Sequence, residues 1–467
     1  MKEITKEEKL FGVYSEIISI CGESLVELPS RQNKFYGKDE TMNKEYSFDI
    51  LVKPRTTQQI ADIMKVCNRC KVGITIRGGG TGVTGGALPV DGGVVLSMEK
   101  LNQIIKVDKL DRIAILEAGV IAENFYNELE KFNLFFPIQP GSSGSCQIGG
   151  NVSENSGSIN SCKYGVMSDY VLNLEVVLAS GEIIWTGTNV RKDTAGLNLT
   201  QLFAGSEGIL GVITKVVLRL INKPRKEIHL LAGFKSIKNA IMFCQALNQT
   251  DIEPSAVELL DKASIEMCEQ HFGYAMFPKE ANQAHLIIKL EGQSEDHIFS
   301  LLERIQTLSQ ELVEEPMLIG QSEEEIKKIW TFRKGMGQIL KTGGRTYRDI
   351  DATVRLSKIK DYVDLIDGLA KKHTAEIVKF GHILDGNLHT MLIFNKEDDS
   401  HQYDKVVEEI YTGVKKLGGT ITGEHGIGFI QKEYLKNQIG ETNYIILKEI
   451  KAILDPNDIL NPKKVIL

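Results

Sequence analysis

Residues 78–93 read GGGTGVTGGALPVDGG, eight glycines in sixteen positions, between the β-patterned runs GITIR and VVLS. A run of this density has almost no side chains to pack and forfeits backbone entropy on folding. It is useful where the backbone must turn through positive φ or come close to another group. Successive N–H groups in such a loop form a concave nest that suits phosphate oxygens. Gly80-Thr-Gly-Val-Thr-Gly85 matches GxGxxG, but that dinucleotide fingerprint needs a helix directly after the glycines. Gly86, Pro89 and Gly92-Gly93 block a helix, and a β-run follows. The expectation is a strand–loop–strand anion cradle. The competing reading, a flexible loop with no ligand, fits poorly between two such strands.

Two further segments are rich in small residues and hydroxyls: QPGSSGSCQIGGNVSENSG at 139–157 and AGSEGILGVI at 204–213. Each is weak alone. Three in one region imply a long ligand touched at several points, and a dinucleotide cofactor has that length. The 467 residues suggest two to four domains at about 150 residues each. The net charge of −7 comes without a basic stripe, which excludes nucleic acid as a partner and means that an anionic substrate needs locally placed cations. The seven Cys are scattered, which predicts a reducing compartment and no disulfide framework. Cys67-x-x-Cys70 has no second pair to complete a metal site. A Thr56/Gln59 capping box instead puts Ile60, Ile63, Met64, Cys67 and Cys70 on one helical face, as core. The N-terminus, MKEITKEEKL, has no apolar segment of a secretory signal, and no stretch of about 18 apolar residues occurs. A cytoplasmic chain without a transmembrane segment is expected.

Residues 1–48 read as mainly helical, and 50–220 as strand-rich. Asn222–Arg225 reads as a linker. Residues 226–375 read as alternating strands and helices, for example a strand over Ile228–Phe234 and a helix over Ile237–Leu247, with helices on one face of a sheet. The tail from about 415 reads as helical.

Gly381-His-Ile-Leu-Asp-Gly-Asn-Leu-His389 carries a sharper chemical signal. Asp385-Gly386 suits a two-residue type I′ turn, which pairs Leu384 with Asn387, Ile383 with Leu388 and His382 with His389. Two imidazoles then share one face, with Cβ atoms about 4.5–5.5 Å apart. Gly423-Glu-His-Gly-Ile-Gly428 adds a carboxylate and an imidazole on a flexible backbone. One carboxylate and two imidazoles make a three-ligand metal site with a position left open for substrate. The plainer reading is two separately satisfied histidines and a surface Glu. His229, His271, His285, His297 and His373 stand in scattered contexts and read as structural or solvated.

The order RGGGTGVTGG, GSCQIGGNVSENSG, KYG, LTQLFAGSEGILGVIT resembles that of the vanillyl-alcohol-oxidase/p-cresol-methylhydroxylase flavoproteins over nearly the whole chain. The nearest branch is that of D-2-hydroxyglutarate dehydrogenase, D-lactate dehydrogenase and the glycolate oxidase flavin subunit. The resemblance implies an α+β fold: a two-subdomain FAD-binding domain of the p-cresol-methylhydroxylase type over 1–222, a ferredoxin-like substrate or cap domain over 223–415, and a helical segment over 416–467 that packs back on the FAD domain. It implies FAD contacts for Arg77, Gly79, Gly80, Thr81, Gly82, Gly85, Gly86, Ser145, Ile148, Gly149, Asn151, Ser156, Gly157, Gly211, Ile213 and Asn461. It also implies a divalent metal, expected to be zinc, on His382, His389 and Glu424, with His425 as base and Asn387 near the substrate. Arg333, in a W-x-x-R segment, is the implied substrate-carboxylate ligand, and Arg348 is the second candidate.

No His occurs in residues 1–228, and Cys146 and Cys162 are the only thiols near the second loop, so non-covalent FAD is expected. This chain departs from the family pattern at Ser158, where a second Gly is usual, and at Leu197-Asn198, where an aromatic pair is common. Gly337 and Asp349 stand where close D-2-hydroxyglutarate dehydrogenases carry a Thr and a Lys, which counts against a dicarboxylate substrate. The expected reaction is oxidation of a small D-2-hydroxy acid to the 2-oxo acid. Hydride goes to flavin, His425 removes the proton, and electrons pass to a separate acceptor such as an electron-transfer flavoprotein or a partner subunit. A homodimer is a possible assembly. The alternatives are a metal-independent flavin oxidase of an alcohol or sugar, and an FAD-holding electron-transfer subunit.

Overall fold

The computed structural model describes residues 6–41, 44–313, 315–342, 346–394 and 400–466. They form two compact units, one of residues 1–156, 166–222 and 424–467, the other of 157–165 and 223–423.

The first unit holds two main sheets. In one the strand order is Val26–Glu27, Ile50–Val52, Val94–Ser97, Ile74–Arg77. The last three strands run parallel and are almost wholly buried, which is why ILV, ITIR and VVLS show little alternation. The other is a five-stranded antiparallel sheet, Ile104–Asp108, Ile113–Glu117, Val212–Arg219, Val171–Val177, Ile183–Trp185. The helix Thr57–Cys70 starts where Thr56 Oγ1 accepts from Gln59 N at 3.2 Å. The Gln59 side chain reaches one residue further back than a capping box requires, to Arg55 N. Ile60, Ile63, Met64 and Cys67 are buried, Cys70 is half-buried, and all seven thiols are free.

Residues 1–48 are less helical than expected. A helix spans Lys6–Cys21, and the short 3-10 turns Glu23–Leu25 and Lys34–Gly37 and the strand Val26–Glu27 follow among the described residues. The Asn33 side chain accepts from Ser30 N and donates to Leu28 O, giving the backbone local partners that compete with a helix. The C-terminal segment forms helices Lys432–Ile439 and Glu441–Leu454. It then extends the parallel sheet: Ile74 N donates to Ile459 O, Asn461 N donates to Ile74 O, and Ile74 bridges Leu460 in parallel.

The second unit is built on one antiparallel seven-stranded sheet, in the order Leu318–Gly320, Lys226–Phe234, Ala284–Gly292, Ala256–Asp261, Glu376–His382, Asn387–Phe394, Thr346–Thr353. Helices cover both faces, not one. Successive strand residues point to opposite faces. Phe380 and Met391 join a core with Phe332 and Met336 of the helix Glu323–Thr342. The neighbouring Thr390 bonds Tyr362 Oη at 2.8 Å, on the helix Ile359–His373 of the opposite face. The unit ends at 423 and not at 415, because Thr353 and Thr420 form a bridge and Gly423 N donates to Asp351 O and Oδ2. No helix among the described residues is long and apolar enough to cross a membrane.

Candidate active site

The glycine loop of the first unit is locked from beneath. Arg77, buried, donates through Nη1 to Lys38 O, and its guanidinium fills the space a Cβ on Gly80 (φ 69°) would need. A Cβ on Gly79 would strike Ser145 O, so the first and second small-residue segments meet there. Gly82 and Gly86, by contrast, have open space where a side chain would be. Beside the loop, Gln147 Oε1 is buried with no hydrogen-bond partner among the described residues. Ile148, Gly149 and Asn151 lie on the short helix Ile148–Glu154, where Gly149 N donates to Ala118 O. Ser156 N donates to Asn151 O. Gly211 packs against Val176, and Ile213 pairs with Val176 in the sheet. Thr81 lies half-exposed in the loop. Gly157 is grouped with the second unit and directly follows Ser156 in the chain.

Asn461 ties the tail to the strand before the loop and to the third small-residue segment, accepting from Ile76 N at 3.0 Å and donating to Glu207 O at 2.8 Å. Lys464, three residues on, is buried and donates from Nζ to Gly86 O (2.8 Å) and Asn461 Oδ1 (3.3 Å). Burial pulls its ammonium down to about 7, against the opposing pull of Asp39 and Glu207. The unfolded chain keeps a lysine near 10.4, so between these values it holds a proton that the folded chain lacks. Its contribution to stability then rises with pH from about 7 upward, by at most about 1.4 kcal/mol per unit. In urea denaturation of the apo-protein at pH 7, 8 and 9 the wild type should gain stability relative to Lys464→Met as the pH rises. Equal slopes for the two proteins would refute the assignment.

The Glu424-His425 turn is stitched to the same loop. Thr84 Oγ1 donates to His425 O at 3.0 Å, and Thr84 O accepts from Phe429 N and Ile430 N. Gly426 and Gly428 take positive φ, and a Cβ on Gly428 would strike Thr84 O. Glu207 accepts from Ile427 N (2.9 Å) and Gly428 N (2.7 Å), and burial pushes its carboxyl up.

In the second unit the histidine hairpin differs from its expected register. His382 pairs with Asn387, and His389 with Phe380. The connection is Ile383–Gly386, four residues rather than two. Ile383 N leaves the hairpin ladder for Val257 O, Gly386 N closes the turn onto Ile383 O, and Asp385 Oδ1 accepts from Asn387 N. Gly386 has φ 82°, and a Cβ there would strike Val354 O. A two-residue shift preserves which face a side chain occupies. The two imidazoles therefore still share a face, as diagonal neighbours with ring centroids 5.2 Å apart, and a ring nitrogen of each lies within 4.8 Å of the other's. Both rings are buried.

Acidic residues surround them. Glu258, fully buried, reaches His382 Nδ1 with Oε1 at 2.5 Å and Arg333 Nε with Oε2 at 2.5 Å. Burial favours the protonated form of Glu258, but the charges and hydrogen bonds of His382 and Arg333 outweigh it and hold the carboxyl below its ordinary value. Asp351, opposite His389, accepts from Asn387 Nδ2 (2.8 Å), Thr422 Oγ1 (3.0 Å) and Gly423 N (2.8 Å). Asp349 lies on the same face, with a carboxylate oxygen within 4.8 Å of a His389 ring nitrogen. Arg333 lies with its Cζ 5.0 Å over the Phe380 ring. Arg348 pairs with Leu392 on the opposite face of the sheet and meets Asp404, so it drops out as a carboxylate ligand here. Glu424 and His425 belong to the other unit and follow Gly423 directly in the chain. Four of the remaining histidines have structural partners: His229 Nδ1 accepts from Trp330 Nε1, His285, bonded to Asn282, is pushed down to about 3 by burial, His297 Nδ1 accepts from Gln293 N, and His373 meets Glu409.

Residues 223–465 match the family model described as FAD linked oxidases, C-terminal domain, and residues 48–187 match the FAD binding domain. The glycolate oxidase subunit GlcD of Bacillus subtilis is 35% identical over 99% of this chain and 97% of its own length. The chain belongs to the FAD-linked oxidase family. D-lactate dehydrogenase of Anaerostipes hadrus is 30% identical over 89% of both chains. The mitochondrial D-2-hydroxyglutarate dehydrogenase of Danio rerio is 32% identical over 90% of this chain and 78% of its own. Among solved structures, p-cresol methylhydroxylase shares the fold of this FAD-linked oxidase over the whole chain and 98% of its own (TM-score 0.81, 18% identity). A 4-ethylphenol oxidase from Gulosibacter chungangensis does so at TM-score 0.77 and 16% identity. The cradle fits the cofactor of the family. Open space over Gly82 and Gly86 leaves room for a phosphate group, and the orphaned Gln147 Oε1 awaits a donor.

Proposed function

We propose that this FAD-linked oxidase is a dehydrogenase of a small D-2-hydroxy acid, with FAD held non-covalently by the first unit and substrate by the second. The main support is the bonding of Thr84, a residue of the glycine loop, to the backbone of His425, Phe429 and Ile430. A histidine fixed to the cofactor cradle suits a base that works beside the flavin. The names of the relatives supply the substrate class.

Bound FAD supplies a two-electron acceptor for the hydride on C2 of the substrate. His382, His389 and Glu424 would hold a divalent metal, expected to be zinc, which would supply Lewis-acidic charge for the substrate hydroxyl. His425 takes the hydroxyl proton as the C2–O bond becomes a carbonyl. Arg333 binds the substrate carboxylate, and Asn387, pinned by Asp351, orients it. The Asp349 carboxylate on the histidine face would repel a second substrate carboxylate, which favours a monocarboxylate such as lactate or glycolate. Electrons then pass to a separate protein acceptor. The word subunit in the name of the Bacillus relative supports a partner chain in that role.

The test is anaerobic titration of the FAD-loaded protein with D-lactate, L-lactate, glycolate and D-2-hydroxyglutarate, followed by a dye-acceptor assay. Bleaching of the flavin by D-lactate or glycolate is the expected result. A flavin that stays yellow with all four would overturn the dehydrogenase reading in favour of an electron-transfer subunit.

A further inference from the structure

The geometry points to Glu258 as the positioning residue that joins the metal ligand to the substrate arginine, one carboxylate oxygen fixing the His382 imidazole and the other the Arg333 side chain. This inference rests on the reading just given. Glu258 is a fully buried acid in the strand Ala256–Asp261, among Ala256, Val257, Leu259 and Leu260, all of them buried too. An ionised carboxylate is costly to bury unless it is paired and hydrogen-bonded. Glu258 is paired twice, at 2.5 Å to His382 Nδ1 and at 2.5 Å to Arg333 Nε. The strand register produces the first contact, since Glu258 stands directly opposite His382.

The consequence for His382 is chemical. An ionised carboxylate only accepts hydrogen bonds, so the proton facing it stays on Nδ1, and the proton that the imidazole gives up to bind a metal comes from Nε2, which becomes the ligand atom. A carboxylate behind a metal-binding histidine fixes both tautomer and ring orientation. The consequence for Arg333 is directional. With Nε held by Glu258 and Phe380 lying under the guanidinium, the Nη1–Nη2 end is the part of the fork that can meet a carboxylate side by side. One acid thus orients the group for the hydroxyl and the group for the carboxylate of the same small substrate.

The experiment compares the FAD-loaded wild type, Glu258→Gln, Arg333→Met, the double variant and His389→Ala. It measures Zn²⁺ affinity by competition with a chelating dye, thermal stability, and KM and kcat for whichever 2-hydroxy acid bleaches the flavin. Glu258→Gln is expected to bind Zn²⁺ about 10–100-fold more weakly, the usual effect of losing a histidine's carboxylate partner. It should also raise KM while keeping its flavin. The double variant is expected to fall short of the summed single effects on Zn²⁺ affinity, because residues in one network couple. If Glu258→Gln melts earlier yet binds Zn²⁺ within twofold of wild type with an unchanged KM, Glu258 is a core staple and the proposal fails. If Glu258→Gln does not fold, Arg333→Met decides: a changed Zn²⁺ affinity supports the coupling and an unchanged one removes it. A wild type that binds Zn²⁺ no better than His389→Ala overturns the metal reading itself, a different failure from the first.

Discussion

Replacing His425 with alanine is expected to slow flavin reduction by a 2-hydroxy acid about 10²–10⁴-fold, the usual contribution of a positioned general base. The flavin spectrum should stay intact. The backbone of the residue is pinned by Thr84, while Ile427 and Gly428 are pinned by Glu207, and none of these bonds uses the imidazole. These backbone bonds remain when the side chain is removed. Anaerobic stopped-flow measurement of flavin bleaching isolates this step from reoxidation by the acceptor. Flavin reduction within threefold of wild type would place the base elsewhere. Loss of flavin would instead assign His425 to the cofactor cradle.

The cradle was legible because its signal is local. Glycine density between two β-runs specifies a strand–loop–strand, and Ile74–Arg77 and Val94–Ser97 flank the loop as expected. The shared face of His382 and His389 was legible for a related reason. Side chains alternate with period two, so an error of two in loop length moved the partners and left the face unchanged. The choice of a two-residue turn failed because Ile383 bonds Val257, on a strand far away in sequence. Long-range partners account for the other omissions. Glu258 lies 124 residues from His382. Its only trace in the sequence is a lone acid within the apolar run AVELL, which by itself says that a partner exists and not which one. Thr84, Glu207 and Lys464 also act through residues hundreds of positions away, or through a tail whose route along Ile74 no periodicity reveals. The one-sided placement of helices in the second unit failed for a different reason. A 3.6-residue pattern shows which side of a helix is buried, but not on which side of a sheet the chain crosses.

Removing the metal proposed on His382, His389 and Glu424 should be as costly as removing the base. Lewis-acid assistance is worth several kcal/mol of charge stabilisation, or about 10²–10⁴ in rate. Dialysis of the FAD-loaded protein against a strong chelator is expected to lower turnover by that factor without releasing flavin, and added Zn²⁺ or Mn²⁺ should restore it. His389→Ala should show the same loss without rescue. His389 is the informative position. Its ring is buried 5.2 Å from the His382 ring, with Asp351 Oδ1 3.6 Å from Nδ1 and the Asp349 carboxylate within 4.8 Å of a ring nitrogen. Two imidazoles among this many carboxylates suit a bound cation better than an apolar ligand, because a cation offsets the negative charge that would otherwise be buried. Each arm guards against a failure of the other. A chelator can act elsewhere on the protein, and a buried His→Ala change can loosen the sheet, but only loss of the metal links reversible inactivation in one case to irreversible inactivation in the other. Full turnover in both would remove the metal from the reaction. Direct flavin oxidation of an alcohol or sugar would then be the better account of this family member.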